Sequence, residues 1–157
     1  MNSMDNPFWK SKSLHQMTER EWESLCSRCG ICCLHRFYNF KTGKTLFTSI
    51  ACRFLDPEGC FCTVYESRFQ REPDCEKITP YNVMKLKWLP KICGYRCVAE
   101  GRDLQWWHPL VSGDFNTVHR AGISIRNNFI SEQDIRPADV MKYLLKRPSM
   151  ILFYDFS

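Results

Sequence analysis

Cys26-Ser27-Arg28-Cys29-Gly30-Ile31-Cys32-Cys33 is the stretch on which the fold turns. A C-x-x-C loop lets two thiolates approach one ion from a tight turn, and a glycine directly after Cys29 allows the positive φ such turns use. Backbone N–H groups then point at the sulfurs and draw off part of their charge, the tuning that metal–thiolate sites need. A C-x-x-C pair alone also marks thioredoxin-like redox sites. In that fold the pair opens a helix after a strand, whereas here it follows a segment that reads as helix. C-x-x-C-x-x-C-C with further cysteines downstream is far more specific for metal.

Cys32 and Cys33 raise a question of geometry. Adjacent Cα atoms are about 3.8 Å apart and consecutive side chains diverge, so one ion can take both only through a strained ring. Either they serve different metals, or one ligates while Cys33 packs as a small apolar residue. Two more blocks follow: Cys52 with Cys60-Phe61-Cys62, then Cys75, Cys93 and Cys97. In an extended strand Cys60 and Cys62 face one side and Phe61 the other. The turn Asp56-Pro-Glu-Gly59 brings the chain back from Cys52, and Cys75 joins if residues 66–72 fold back. The candidate ligands are therefore Cys26, Cys29, Cys32, Cys33, Cys52, Cys60, Cys62 and Cys75, with Cys93 a further candidate. Eight thiols suffice for one iron–sulfur cluster with spares or for two tetrahedral zinc sites. Soft thiolate donors place an iron–sulfur cluster ahead of zinc.

The rest of the composition frames this chemistry. At 157 residues the chain is one domain. No run approaches the roughly 20 apolar residues of a membrane span. The start, Met1-Asn-Ser-Met-Asp-Asn-Pro-Phe-Trp9, has neither the basic residues nor the apolar run of a secretory signal. A cytoplasmic, reducing location follows, in which the ten cysteines stay thiols instead of forming five disulfides. The net charge of +5 comes without a basic run or nucleic-acid motif, so it reads as a solvated surface and nucleic acid is an unlikely partner. Phosphate loops, nucleophile elbows, H-E-x-x-H and dinucleotide fingerprints are all missing, which leaves open whether the protein is an enzyme.

Thr18-Glu-Arg-Glu21 has capping-box spacing and predicts a short helix through Trp22 and Leu25 that delivers Cys26. Phe37–Phe40 and Thr45–Ile50 around Lys41-Thr-Gly-Lys44 predict a hairpin. Thr79-Pro80 predicts a helix over Tyr81 to Lys87, and Pro90 another through Cys93 and Cys97 to Gly101. Ile123 and Ile125, alternating with Ser124 and Arg126, read as strand within Val118–Phe129. Pro137 opens a final helix carrying Val140, Met141, Leu144 and Leu145, and Met150–Phe156 is an apolar tail that reads as docked on the core. His108, in Trp106-Trp-His-Pro-Leu110, reads as structural. His35 is placed to replace a thiolate, His119 has no cysteine neighbours, and His15 belongs on the surface. Arg68 and Arg96, after Tyr65 and Tyr95, are placed either to offset thiolate charge or to form ordinary surface ion pairs. The expected fold is a small irregular α+β single domain, residues 1–157, built around a cysteine–metal cluster. Its metal-binding core spans about 20–100 and its C-terminal helix and tail about 130–157.

Trp22-Glu-Ser-Leu-Cys26, Cys29-Gly-Ile-Cys-Cys-Leu34, Ala51-Cys-Arg-Phe-Leu55 and Cys60-Phe-Cys62 resemble the CxxCxxCC cysteine-cluster family of zinc- or iron-chelating proteins. Tyr65-Glu-Ser-Arg68, Pro73-Asp-Cys75, Trp88-Leu-Pro90 and Cys93-Gly-Tyr-Arg96 extend the likeness, as do Ala99-Glu-Gly101, Trp107-His-Pro-Leu110 and Ala121–Arg126. The latter segments are similar to its YcgN-type branch. The resemblance runs to about Asn128 and implies metal binding without a reaction. Cys97 falls where that branch has an apolar residue, which weighs against it as a ligand. A related cluster in flagellin lysine methylases is thought to hold iron–sulfur, an analogy that transfers no reaction. Three functions follow as expectations: an iron–sulfur protein working with a protein or redox partner, a structural zinc module that binds a partner, or a cluster-dependent enzyme such as a transferase or oxidoreductase.

Overall fold

The computed structural model describes residues 6–145, so the predicted apolar tail lies outside the described residues. Its helices are α1 (Phe8–Ser11), α2 (Glu19–Ser24), α3 (Arg68–Arg71), α4 (Gly94–Ala99), α5 (Pro109–Ser112) and α6 (Thr117–Arg120), interspersed with short 3-10 turns. The capping box forms as its spacing predicts. Thr18 Oγ1 accepts from the Glu21 N–H at 3.2 Å, and the Thr18 N–H donates to Glu21 Oε2 at 2.8 Å. α2 then buries Trp22, whose indole N–H donates to the Ile78 carbonyl at 2.9 Å, and ends one residue before the buried Leu25.

The predicted hairpin is β1 (Leu34–Asn39) and β2 (Lys44–Ala51), paired antiparallel from Asn39↔Lys44 to Leu34↔Ala51. A two-residue strand, β3 (Ile130–Ser131), adds parallel to β2 and completes a three-stranded mixed sheet in the order β1-β2-β3. The expected α+β class therefore holds, with very little regular structure. None of the described helices is long and apolar enough to cross a membrane.

Four expected elements differ. Residues 81–87 form consecutive turns instead of a helix. Asn82 bonds the backbone with its side chain, accepting from the Thr79 N–H at 2.7 Å and donating to the Lys77 carbonyl at 2.7 Å. Tyr81 and Met84 remain exposed, so no continuous apolar stripe holds a helix there. The helix expected from Pro90 starts only at Gly94, because Pro90–Cys93 closes as a separate turn through the Cys93 N–H and Pro90 carbonyl at 2.9 Å. The expected strand over 118–129 is α6 followed by turns. Ile123 and Ile125 are buried as predicted, but Ser124 between them is buried too, bonded at 2.6 Å to His119 Nδ1, so the alternation does not report a strand. The final helix from Pro137 is a 3-10 turn (Pro137–Tyr143), after which Leu144 bridges to Thr48.

Burial divides among three clusters. Trp22, Leu25, Val83, Leu89, Tyr95, Cys97, Val98 and Leu104 pack around α2 and α4. Ile31, Leu34, Phe47, Ala51, Leu55, Cys60 and Ile125 pack under the sheet, and Trp107, Val118 and Ile123 form the third. Cys93 packs on the first cluster, Cys33 on the second, and Cys29 on the second and third. The cysteine loops thus occupy the seam between clusters.

Thr18→Ala removes the hydroxyl that caps α2, the helix that presents Cys26. A loss of about 1 kcal/mol in unfolding free energy is expected, read as a lower urea midpoint at unchanged slope. An unchanged midpoint would show the cap to be irrelevant.

Candidate metal centre

The first cysteine loop reverses twice. Arg28 has φ 60° and Gly30 φ 79°, the second being the positive value its sequence position predicts. A side chain at Gly30 would strike Ile125, since a Cβ there would lie 2.8 Å from Ile125 Cγ1. The Cys29 carbonyl accepts from the Ile125 N–H at 2.9 Å, tying the loop to the second cluster. Backbone N–H groups do face the sulfurs: burial raises Cys26, Cys29 and Cys52, and the N–H groups of Arg28, Ile31 and Phe54, each two residues farther on, offset part of that rise.

Cys93 joins this loop through a contact that the cysteine spacing does not reveal. His108 Nε2 lies 2.9 Å from the Leu25 carbonyl, while its Nδ1 accepts from the Leu110 N–H at 3.1 Å and caps α5. The ring is therefore a neutral Nε2–H tautomer, and burial lowers its pKa. Gly94 lies against the same carbonyl, so closely that a Cβ there would sit 2.0 Å from the Leu25 oxygen. Leu25 precedes Cys26 and Gly94 follows Cys93, so this contact sets the two cysteines side by side. The structural reading of His108 holds, and its role is to hold that junction.

A second group gathers at the base of the hairpin. The Cys52 N–H donates to the Cys33 carbonyl at 2.9 Å, next to the Leu34↔Ala51 pair. Beyond the Asp56–Gly59 turn the chain folds back, with Cys62 bridged to Leu55 and the Thr63 N–H donating to the Phe54 carbonyl at 2.8 Å. Cys75 follows Glu72, whose carboxylate meets Arg53 at 3.3 Å, and its other neighbour Glu76 meets Arg36 at 3.4 Å.

Two cysteines stand apart. Cys60 has φ 53°, so Cys60-Phe61-Cys62 is not the extended strand expected, and Cys60 turns into the sheet cluster towards Ser124 and Arg126. Cys97 donates to the Lys91 carbonyl at 3.2 Å and accepts from Arg102 at 3.4 Å, inside the helical cluster. All ten cysteines are free thiols.

The charges of the remaining eight reach one another in a pattern. The Cys32 thiolate opposes ionisation of Cys26, Cys29, Cys33, Cys75 and Cys93, and Cys93 in turn feels Cys26. Cys62 acts on Cys33, Cys52 and Cys75. Cys26 and Cys32 each present an edge to solvent, yet protein surrounds their sulfurs on the other sides. Burial, then repulsion from Cys32, pushes Cys26 up to about 11, and burial pushes Cys93 up to about 12. Cys32 goes the other way, lowered by hydrogen bonding from the adjacent Cys33 thiol and by the nearby Arg36 and Arg68 guanidiniums. Arg68 stacks 3.7 Å from the Tyr65 ring centroid, and the Tyr65 hydroxyl donates to the Glu23 carboxylate. Arg68 thus faces thiolates as one of its two expected roles allows, whereas Arg96 serves an ordinary ion pair with Glu100 at 2.8 Å. Arg36, 3.6 Å from the Trp88 centroid and bonded to the Cys32 carbonyl at 3.4 Å, is the guanidinium that sequence reasoning missed. Its place three residues after Cys33 was the available signal.

Among the described residues, Cys52, Glu72 and Glu132 are the one set of three donor atoms within 4.8 Å of one another. Arg53 lies against both carboxylates, at 3.3 and 3.2 Å, and His35 lies 2.8 Å from Glu132, so cationic partners already face this cluster. No three thiols come as close as 4.8 Å. The donor chemistry of the eight thiols suits both zinc and iron.

This arrangement defines a thiolate metal-binding protein, and the comparisons with known proteins give its class. Residues 25–94 match the family model CxxCxxCC, described as "Putative zinc- or iron-chelating domain". The match runs from Leu25 to Gly94, the two residues that meet at the junction, and includes every cysteine but Cys97. A UPF0260 protein of Sinorhizobium fredii strain NGR234 is 54% identical over 144 residues, covering 92% of this chain and 93% of its own. UPF0260 proteins of Rhizobium etli strain CIAT 652 (53% identical; 92% and 91% covered) and Rhizobium meliloti strain 1021 (51%; 92% and 93%) are similar throughout. The chain belongs to this UPF0260 family. No solved structure matches it.

Gly94→Ala is expected to lower stability by about 1–3 kcal/mol and to lower the metal content of the purified protein, because backbone must yield to the new Cβ. Full retention of both would show that the junction can relax. For His108 the neutral ring is the folded form, so below the ordinary value of about 6.5 the unfolded chain binds more protons. Its contribution is present above that value and is lost as pH falls through the lower folded pKa. Urea midpoints of wild type and His108→Gln should therefore converge below about pH 6.5; a constant gap would contradict this.

Proposed function

We propose that the protein is an iron–sulfur protein whose cluster is held by Cys26, Cys29, Cys32 and Cys93 and exchanges single electrons with a partner protein in the reducing cytoplasm. The observation that carries the reading is the junction of Leu25 with Gly94, which brings Cys93 to a loop already holding three thiols at three-residue intervals. Soft all-thiolate donors at three-residue intervals support iron–sulfur ahead of zinc. Backbone N–H groups facing the sulfurs, and the guanidiniums of Arg36 and Arg68, would stabilise the thiolate form that either metal needs.

A structural zinc role is the second reading. It is favoured by the position of the thiols in the seam of three small apolar clusters, where an ion would act as a staple.

Anaerobic purification followed by iron, zinc and acid-labile sulfide analysis and a visible spectrum tests this. Coloured protein with iron and sulfide in equal amounts is expected, with strong loss in Cys93→Ser and little in Cys97→Ser. Colourless protein carrying zinc and no sulfide would sink the iron–sulfur reading.

A further inference from the structure

We infer that Cys33, Cys52, Cys62 and Cys75 form a second, separate metal centre, making this a two-centre protein in which the adjacent residues Cys32 and Cys33 ligate different centres. The inference rests on the reading above for the first centre and extends it to thiols that centre leaves unused.

Two backbone pairings and two arginine side chains bring these cysteines together. Hairpin pairing sets Cys52 beside Cys33. The fold-back at Leu55↔Cys62 returns Cys62 towards Cys52. Arg53, next to Cys52, binds Glu72 and also the Arg71 carbonyl at 3.3 Å, holding the turn that ends at Cys75 through the Cys75 N–H and Glu72 carbonyl at 3.0 Å. Arg36 grips the same turn from its other side, because it binds both Glu76 and the Cys32 carbonyl. Two arginines thus pin Cys75, one to the strand of Cys52 and one to the Cys32-Cys33 pair. Such fixation of an otherwise irregular segment is what a ligand needs and what an idle surface thiol does not.

The partition follows from Cys32 and Cys33 themselves. They lie in a 3-10 turn (Ile31–Cys33), where successive side chains are a third of a turn apart. Their sulfurs therefore diverge, and one ion cannot chelate both without strain. Two centres, one on either side, satisfy both sulfurs. Bacterial two-cluster ferredoxins use the same economy, one cysteine of a tight run ligating the other cluster. The rival for Cys52 is the carboxylate set of Glu72 and Glu132, but Arg53 and His35 already face those oxygens.

Metal counting on the full chain, purified anaerobically, tests the inference. Wild type is expected to hold twice the metal of Cys62→Ser or of Cys75→Ser, and twice that of Cys29→Ser or Cys93→Ser. Each loss should be about half, not total. Dithionite-reduced wild type should show the broadened electron paramagnetic resonance of two interacting centres, reduced to a simpler signal in Cys62→Ser. Glu132→Gln should keep full metal. One cluster's worth of metal in wild type, measured without any variant, would overturn the inference, and so would unchanged metal in both Cys62→Ser and Cys75→Ser. Loss of half the metal in Glu132→Gln would overturn the all-thiolate assignment. Two zinc ions per chain, one lost in each set of variants, would support the two-centre partition while sinking the iron–sulfur reading.

Discussion

The structure depends on one backbone oxygen, the carbonyl of Leu25. It ends the helix that carries Trp22, it receives the His108 Nε2–H, and it leaves no room for a side chain at Gly94. Closing the long loop between Leu25 and Gly94 costs chain entropy, and that cost grows only slowly with length. One buried hydrogen bond returns about 1 kcal/mol, so it cannot hold such a loop alone. The contact instead fixes geometry: it fits the helical cluster to the cysteine loop, and the energy comes from Leu25, Tyr95, Leu89 and Val98 packed around it. Gly94 is thus required for close approach and not for an unusual φ.

The same reasoning explains the placement of the arginines. Thiols this crowded resist ionisation, through burial first and mutual repulsion second. Arginine answers this better than lysine, since its guanidinium stays charged and stacks on aromatic faces while its N–H groups reach several acceptors. Arg36 does all three, over Trp88, at Glu76 and at the Cys32 carbonyl. Arg68 repeats the arrangement over Tyr65, and Arg53 lies over Phe54 while it holds Glu72 and Glu132. Arg36 and Arg68 offset thiolate charge, and Arg36 and Arg53 fasten the turn that leads to Cys75.

How much could be read from sequence differs by kind of signal. Local chemistry was legible: the Thr18–Glu21 box, the hairpin, the Asp56–Gly59 turn and the positive φ of Gly30 all follow from residues close in the chain. Periodicity misled where polar side chains bonded backbone locally. Asn82 broke the helix expected over 81–87, and Ser124 joined its isoleucine neighbours in burial by pairing with His119. The cysteine blocks were legible as a set, but their grouping was not. Cys93 comes beside Cys26 through Gly94 and His108, and Cys60 turns into the sheet cluster on a left-handed backbone. Neither is a property of spacing. Arg36 was overlooked because its aromatic partner, Trp88, lies far along the chain.

The scarcity of regular structure is itself informative about what the thiols do for the fold. The helices are four to six residues long, below the length at which a helix sustains itself in water, and β3 is two residues. The three clusters are each small, and a core divided in this way gives little stability to any one part. What the clusters share is the cysteine seam, with Cys93 on one, Cys33 on another and Cys29 touching two. Ligand bonds across that seam would join all three at once. Metal binding and folding would then be a single equilibrium, because the unfolded chain offers no preformed site. On this view Cys60 and Cys97 serve the clusters as small apolar residues, while bound metal would join the clusters through Cys29, Cys33 and Cys93.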